Sequence, residues 1–262
     1  MCRLLGLAFN QPVNPSEYFF RLLELSENNP HGWGLASYKG GSAQIFKEPL
    51  QGDTSELARF LRVYPGIRSP LHIAHIRKTC NLAVSYPNTH PFSREMMGKE
   101  FVFAHNGNVM KIKSVDPGRF RPVGRTDSEH AFCYLLSCIE ARAISQWSVD
   151  HFLWLRNTLR DMNGHGGFSC IFSDGEHLFC YRDKTGRSGL CFIHCTPSPG
   201  SAGSSEQCPA SQDRGERPQQ PAGYVIASEP LSSGPWEACH PSELVVIRDG
   251  TMVYSSAGRL IT

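Results

Sequence analysis

The spacing of apolar residues changes rhythm several times along this 262-residue chain. Residues 3–9 are a nearly unbroken apolar run, read as a buried strand that carries Cys2 at its leading end. Asn14-Pro15-Ser16-Glu17 then opens a helix, with Pro at the first helical position and Glu three residues after the cap. Phe19, Leu22 and Leu23 follow at helical spacing. Residues 33–38 and 43–46 flank Gly40-Gly41 and predict a hairpin. A helix over 54–63 leads to a strand over 71–76, and a strand over 101–104 delivers Asn106 and Gly107 at its end.

Thr126 and Glu129 have the spacing of a capping box ahead of Phe132, Leu135, Leu136 and Ile139 on one helical face. A second helix starts near Ser148, carries Val149, Phe152, Leu153 and Leu159, and stops at Asn163-Gly164. Phe168, Cys170 and Phe172 then alternate with Ser169, Ile171 and Ser173, and Asp174-Gly175 turns that strand into the next. Further strands are predicted at 190–194, 224–227, 243–247 and 251–254, the last two joined by Asp249-Gly250. Strands, two helices and more strands predict an α+β fold of two packed sheets with helices outside. Periodicity carries no further than that class.

Residues 196–223 break the pattern, with no Val, Ile, Leu, Met or aromatic residue and with Pro, Gly or Ser at half of their positions. Such a stretch cannot bury enough to offset its ordering entropy, so it reads as a disordered surface insertion in a single domain spanning 1–262. Read instead as a domain linker, it would leave only about forty strand-rich residues after it, too few for an independent domain.

Charge removes some classes of function. The formal net charge is +2 and the 26 Lys and Arg are scattered, so neither nucleic acid nor membrane is an expected partner. No apolar run approaches the ~18 residues of a membrane span, and no basic segment followed by an apolar one opens the chain. The expectation is a soluble cytoplasmic protein, in which the ten cysteines are free thiols. No C-x-x-C pair occurs, and the Cys133/Cys138 and Cys191/Cys195 pairs lack a matching second half. Neither a metal nor a cofactor is expected.

Cys2 carries the candidate chemistry. Methionine before a small residue is normally trimmed, which would make Cys2 the first residue of the mature chain. Its thiol could then attack while its own α-amino group, with an ordinary pKa of about 7.7 to 8.0, takes the proton. Otherwise Cys2 is a small apolar residue at the start of a strand.

Partners for it occur in order along the chain: His31-Gly32-Trp33-Gly34, His75-Ile76-Arg77-Lys78-Thr79-Cys80, Asn88-Thr89-His90-Pro91-Phe92, Phe103-Ala104-His105-Asn106-Gly107 and Gly124-Arg125-Thr126-Asp127-Ser128-Glu129. With Met1-Cys2-Arg3-Leu4-Leu5-Gly6, this set resembles the glutaminase domain of class II glutamine amidotransferases, a family of N-terminal-nucleophile hydrolases. The resemblance is to the standalone bacterial branch, which includes the ergothioneine-pathway γ-glutamyl hydrolase. It covers residues 1 to about 130 well and weakens toward the C-terminus.

The resemblance implies a four-layer αββα sandwich. It also implies hydrolysis of the side-chain amide of glutamine or of a γ-glutamyl amide, by Cys2, through a γ-glutamyl thioester. The Asn106 side-chain amide and the Gly107 backbone N–H would form the oxyanion hole. Arg77 would bind the substrate α-carboxylate, with Thr79 nearby, and Asp127 the α-ammonium. Trp33, Gly34 and His90 would shape the pocket, with His75, His90 and His105 as supports for their loops. Each has a plainer reading: Asn106-Gly107 as a type I′ turn, Arg77 as a surface residue, Asp127 as a complement to a helix dipole, Trp33 and Gly34 as strand packing.

Many glutamine-using members read His-x-Arg-x-Ala-Thr-x-Gly, whereas here Thr79, Cys80 and Leu82 fill the Ala, Thr and Gly places. A thiol is a weak donor, so a γ-glutamyl amide with a larger leaving amine is expected to outrank free glutamine. The partners implied are this small substrate and a separate synthase or hydrolase subunit. A non-catalytic relative that binds γ-glutamyl ligands or a partner protein is the alternative.

Overall fold

The computed structural model describes residues 1–79, 83–196 and 221–259. The first half runs β1 (Arg3–Val13), α1 (Ser16–Glu24), β2 (Trp33–Lys39), β3 (Ser42–Glu48), α2 (Glu56–Val63), β4 (Ser69–Ile76), β5 (Phe92–Met96) and β6 (Lys99–Asn106). Two helices follow, α3 (Asp127–Ala141) and α4 (Val149–Met162). The strands after them are β7 (Ser169–Ser173), β8 (His177–Tyr181), β9 (Cys191–Cys195), β10 (Gly223–Ala227), β11 (Glu237–Ala238), β12 (Leu244–Arg248) and β13 (Thr251–Ser255).

These strands form two antiparallel sheets, in the orders β11-β9-β10-β1-β4-β2-β3 and β13-β12-β8-β7-β6-β5. Strand periodicity then divides the apolar residues among three cores. On β1, Leu5, Leu7 and Phe9 face Tyr18, Phe19 and Leu22 of α1, while Leu4 and Ala8 face the other sheet. The core between the sheets adds Ile73, Val102, Ala104, Ile171, Leu178 and Val245. On the far side, Phe103, Phe172 and Phe179 pack against Phe132 and Leu136 of α3 and Leu155 and Leu159 of α4. The layers are therefore α, β, β, α. Gly6 lets the sheets meet closely, since a methyl group there would lie 2.9 Å from Leu178 Cδ2.

Several sequence expectations shift in detail. The 3–9 strand runs on to Val13, and β5 and β11 have no counterpart among the predicted strands. Val149 and Leu153 on α4 are exposed, while Leu155 and Met162 take the buried face with Phe152 and Leu159. Thr126 caps α3 by accepting from Glu129 N–H at 3.0 Å, but the Glu129 carboxylate reaches Val123 and Gly124 N–H instead of closing a capping box. The predicted insertion ends too late. Gly223 is the first residue of β10, opposite both Phe9 and Cys195, and a side chain there would collide with β1. Residues 197–220 of that segment lie outside the described residues. Among the described residues, no helix is long and apolar enough to cross a membrane.

Candidate active site

The central strands of both sheets end at one cleft. Cys2 stands just before β1, Arg77 just after β4, Gly107 just after β6, and Asp127 at the first turn of α3. β1 pairs with β4 so that Arg3 lies opposite Ile76, which puts Cys2 beside the chain leaving β4. The half-buried Cys2 thiol donates to Lys78 O at 3.4 Å and accepts from Lys78 N–H at 3.3 Å. Burial pushes that thiol up from its ordinary range, against the opposing pull of the Lys78 backbone, the terminal ammonium and Arg77.

The cleft has a volume of about 460 Å³, and its wall includes Cys2, Arg77, Thr79, His90, Gly107 and Asp127. Arg77 is only 3 % exposed. Its Nη1 donates to His31 O at 3.3 Å, while its Nη2 is buried without a partner among the described residues. Burial lowers its pKa, and the nearby Cys2 thiol acts in the opposite direction. The segment after it is pinned by His31, whose Nδ1 accepts from Thr79 N–H at 3.1 Å. Cys80 and Leu82 lie outside the described residues.

Asp127 is buried, and both its oxygens already accept backbone hydrogen bonds: Oδ2 from Val109 N–H at 2.7 Å and Oδ1 from Ser128 N–H at 3.0 Å. A carboxylate oxygen has two lone pairs, so acceptor capacity toward the cleft remains. The plain type I′ turn at Asn106-Gly107 does not occur. β6 pairs with the distant β7, and the chain leaving Gly107 enters a short helical turn over Met110–Ser114. Asn106 itself is buried at the end of β6; the wall is formed by its neighbours His105, Gly107 and Asn108.

Three histidines underlie the cleft. His75 Nε2–H donates to His105 O at 3.2 Å, and the His75 and His90 rings lie 4.1 Å apart. His105 bridges Gly167 O at 3.2 Å through Nε2–H and the Ser128 hydroxyl at 2.9 Å through Nδ1. Burial holds His75 down to about 3 and His90 well below the ordinary histidine range, so both are neutral near pH 7. Both ring nitrogens of His90 are buried without a partner among the described residues.

Two pocket expectations are corrected. Trp33 points away from the cleft into the core under α1, its ring 5.7 Å from that of Phe19. Gly34 supports the wall from beneath: a methyl group on it would lie 2.2 Å from His90 O, so the close approach of the His90-Pro91 segment requires glycine. Ser128, Asn108 and Met110 belong to the cleft, although the sequence assigns none of them a role. Ser128 sits inside a recognised motif and the other two lie between motifs, and only the fold turns all three toward the cleft. Among the described residues, no group of three or more His, Cys, Asp or Glu is placed to hold a metal ion.

An αββα stack with a cysteine at the leading end of a central strand, open to a cleft, defines the N-terminal-nucleophile type of hydrolase fold. The family model of class-II glutamine amidotransferases matches residues 1–260, and the chain belongs to that family. It is 39 % identical over 256 residues to an uncharacterized protein of Methanocaldococcus jannaschii, covering 98 % of this chain and 72 % of that one. Among solved structures it is similar to a predicted glutamine amidotransferase from Pseudomonas aeruginosa, with a TM-score of 0.68 and 26 % identity over 97 % of this chain and 100 % of that one. It also shares its fold with the glutamine phosphoribosylpyrophosphate amidotransferase of B. subtilis, with a TM-score of 0.64 and 16 % identity over 98 % of this chain and 49 % of that one.

Proposed function

We propose that this protein hydrolyses the side-chain amide of glutamine or of a γ-glutamyl amide, with Cys2 as nucleophile after removal of Met1. The observation that carries this reading is the gathering of Cys2, Arg77, Gly107 and Asp127, distant in sequence, around one cleft. The free amine of a mature Cys2 takes the thiol proton, and the sulfur adds to the γ-carbonyl carbon. The carbonyl oxygen becomes an oxyanion that accepts from Gly107 N–H, and the Asn106 amide, buried just behind that wall, is the second donor once it turns toward the cleft. Its collapse expels the amine, which leaves with the proton. Water then adds to the thioester carbon, and glutamate departs as the thiol is regenerated.

The Nη2 of Arg77, unpartnered among the described residues, supports a carboxylate as the group bound beside it. A buried donor left unpaired costs about 1–3 kcal/mol, which a substrate α-carboxylate would recover. Asp127 and Thr79 line the same cleft, and Asp127 takes the α-ammonium of the amino-acid head. This limits substrates to those with a free α-amino acid head and excludes glutamines inside peptides.

The test is release of ammonia or amine from glutamine and a panel of γ-glutamyl amides, comparing wild type with Cys2→Ala. Turnover lost in Cys2→Ala at an unchanged melting temperature is the expected result. Equal turnover in the two proteins would refute the assignment, and ligand binding without turnover in wild type would favour a binding module.

A further inference from the structure

The two backbones meeting at the cleft floor are held together from a place no substrate reaches. Gly107 has φ +151°, and a methyl group on it would lie 2.1 Å from Gly167 O. Gly166, at φ +149°, is pressed as closely on Asn108 O, also 2.1 Å from where its methyl would stand. The 166–168 segment is therefore the wall against which the Gly107-Asn108 backbone rests. A glycine in this region of φ has no side chain to fix its conformation, so the direction of its N–H depends on that wall.

The wall is clamped from behind by two buried side chains, Asn163 at the end of α4 and Asp183 just after β8. Asp183 Oδ2 accepts from Phe168 N–H at 2.8 Å and from Asn163 Nδ2 at 2.8 Å, and Asn163 Nδ2 also donates to Gly166 O at 2.7 Å. Asn163 Oδ1 in turn accepts from Lys184 N–H at 2.7 Å, and Asp183 Oδ1 from Thr185 N–H at 2.8 Å. The carboxylate is held ionised: burial pushes it up, but the hydrogen bonds from Thr185, Phe168 and Asn163 outweigh this and bring it below its ordinary range. Neither residue lines the cleft.

The geometry points to Asn163 and Asp183 as positioning residues that aim the Gly107 N–H at the oxyanion, an inference that rests on the hydrolytic reading above. They act through the 166–168 backbone, with His105 as a second tie on Gly167 O. Their substitution should lower kcat and spare KM, because the carboxylate and ammonium sites at Arg77 and Asp127 lie elsewhere on the wall.

The experiment compares wild type with Asp183→Asn and the milder Asn163→Ser. It reads steady-state kinetics on the best γ-glutamyl amide, melting temperature, and hydrogen exchange of the Gly107 amide. In folded variants the expected result is faster Gly107 exchange, with kcat reduced roughly tenfold to a hundredfold, the scale at which small misplacements act, and KM nearly unchanged. Unchanged Gly107 exchange in both variants would overturn the inference, as would a rise in KM at constant kcat. If wild type shows no Cys2-dependent hydrolysis, the hydrolytic reading fails. The exchange measurement then still decides whether the pair positions this backbone.

Discussion

Arg77 holds a cation where water barely reaches, and one of its nitrogens is without a partner among the described residues. A lysine could keep the charge, but it could neither keep the Nη1 bond to His31 O nor present a planar second donor to a carboxylate. Arg77→Lys should therefore raise KM by tenfold or more, the value of about 1.4 kcal/mol, while moving the melting temperature little. Steady-state kinetics with thermal denaturation checks this, and an unchanged KM would return Arg77 to an ordinary strand-end residue. The sequence motif points to this arginine, but not to its free nitrogen. That depends on His31, 46 positions away, arriving on the same side.

At the scale of elements, the first turn of α3 joins stability to recognition. Thr126 caps the helix, and the next residue, Asp127, accepts the Val109 and Ser128 amides that seat the cleft edge. Thr126→Ala should cost about 1 kcal/mol, the usual value of a lost N-cap. Denaturant unfolding of the variant checks it; a loss near zero would mean that tertiary packing, not the cap, holds this end. The helix start is readable because capping acts between neighbours in sequence. The Asn163–Asp183 clasp is not readable, since it joins two polar residues whose partners are mostly backbone groups set side by side by the fold. Trp33 misleads for a related reason: strand alternation tells that it has a face, but not which face is the cleft.

At the scale of the whole molecule, His72, His75, His90 and His105 are almost fully buried, and burial lowers the pKa of each. Their unfolded-state pKa is near 6.5, so below that value the unfolded chain binds protons that the native state refuses. Stability should be flat above about pH 7 and begin to fall as pH drops through 6.5, continuing toward the folded values of about 4 for His72 and about 3 for His75. Carboxylates alone would delay the onset until about pH 5. Melting temperature against pH distinguishes the two, and a curve flat down to pH 5 would contradict the neutral histidine core. The α+β class is legible from element order. The assignment of apolar residues to three separate cores is not, because strands covered on both faces, such as β7, show little alternation in burial.

The central claim is that Cys2, freed of Met1, is the nucleophile of a γ-glutamyl amidohydrolase. Intact mass spectrometry before and after incubation with an electrophilic glutamine analogue tests it most directly, with peptide mapping to locate any adduct. The account predicts a chain lacking Met1 that gains a single adduct on Cys2, lost in Cys2→Ala and suppressed by excess glutamate. A chain lacking Met1 that gains no adduct, or gains it on another cysteine, would contradict it.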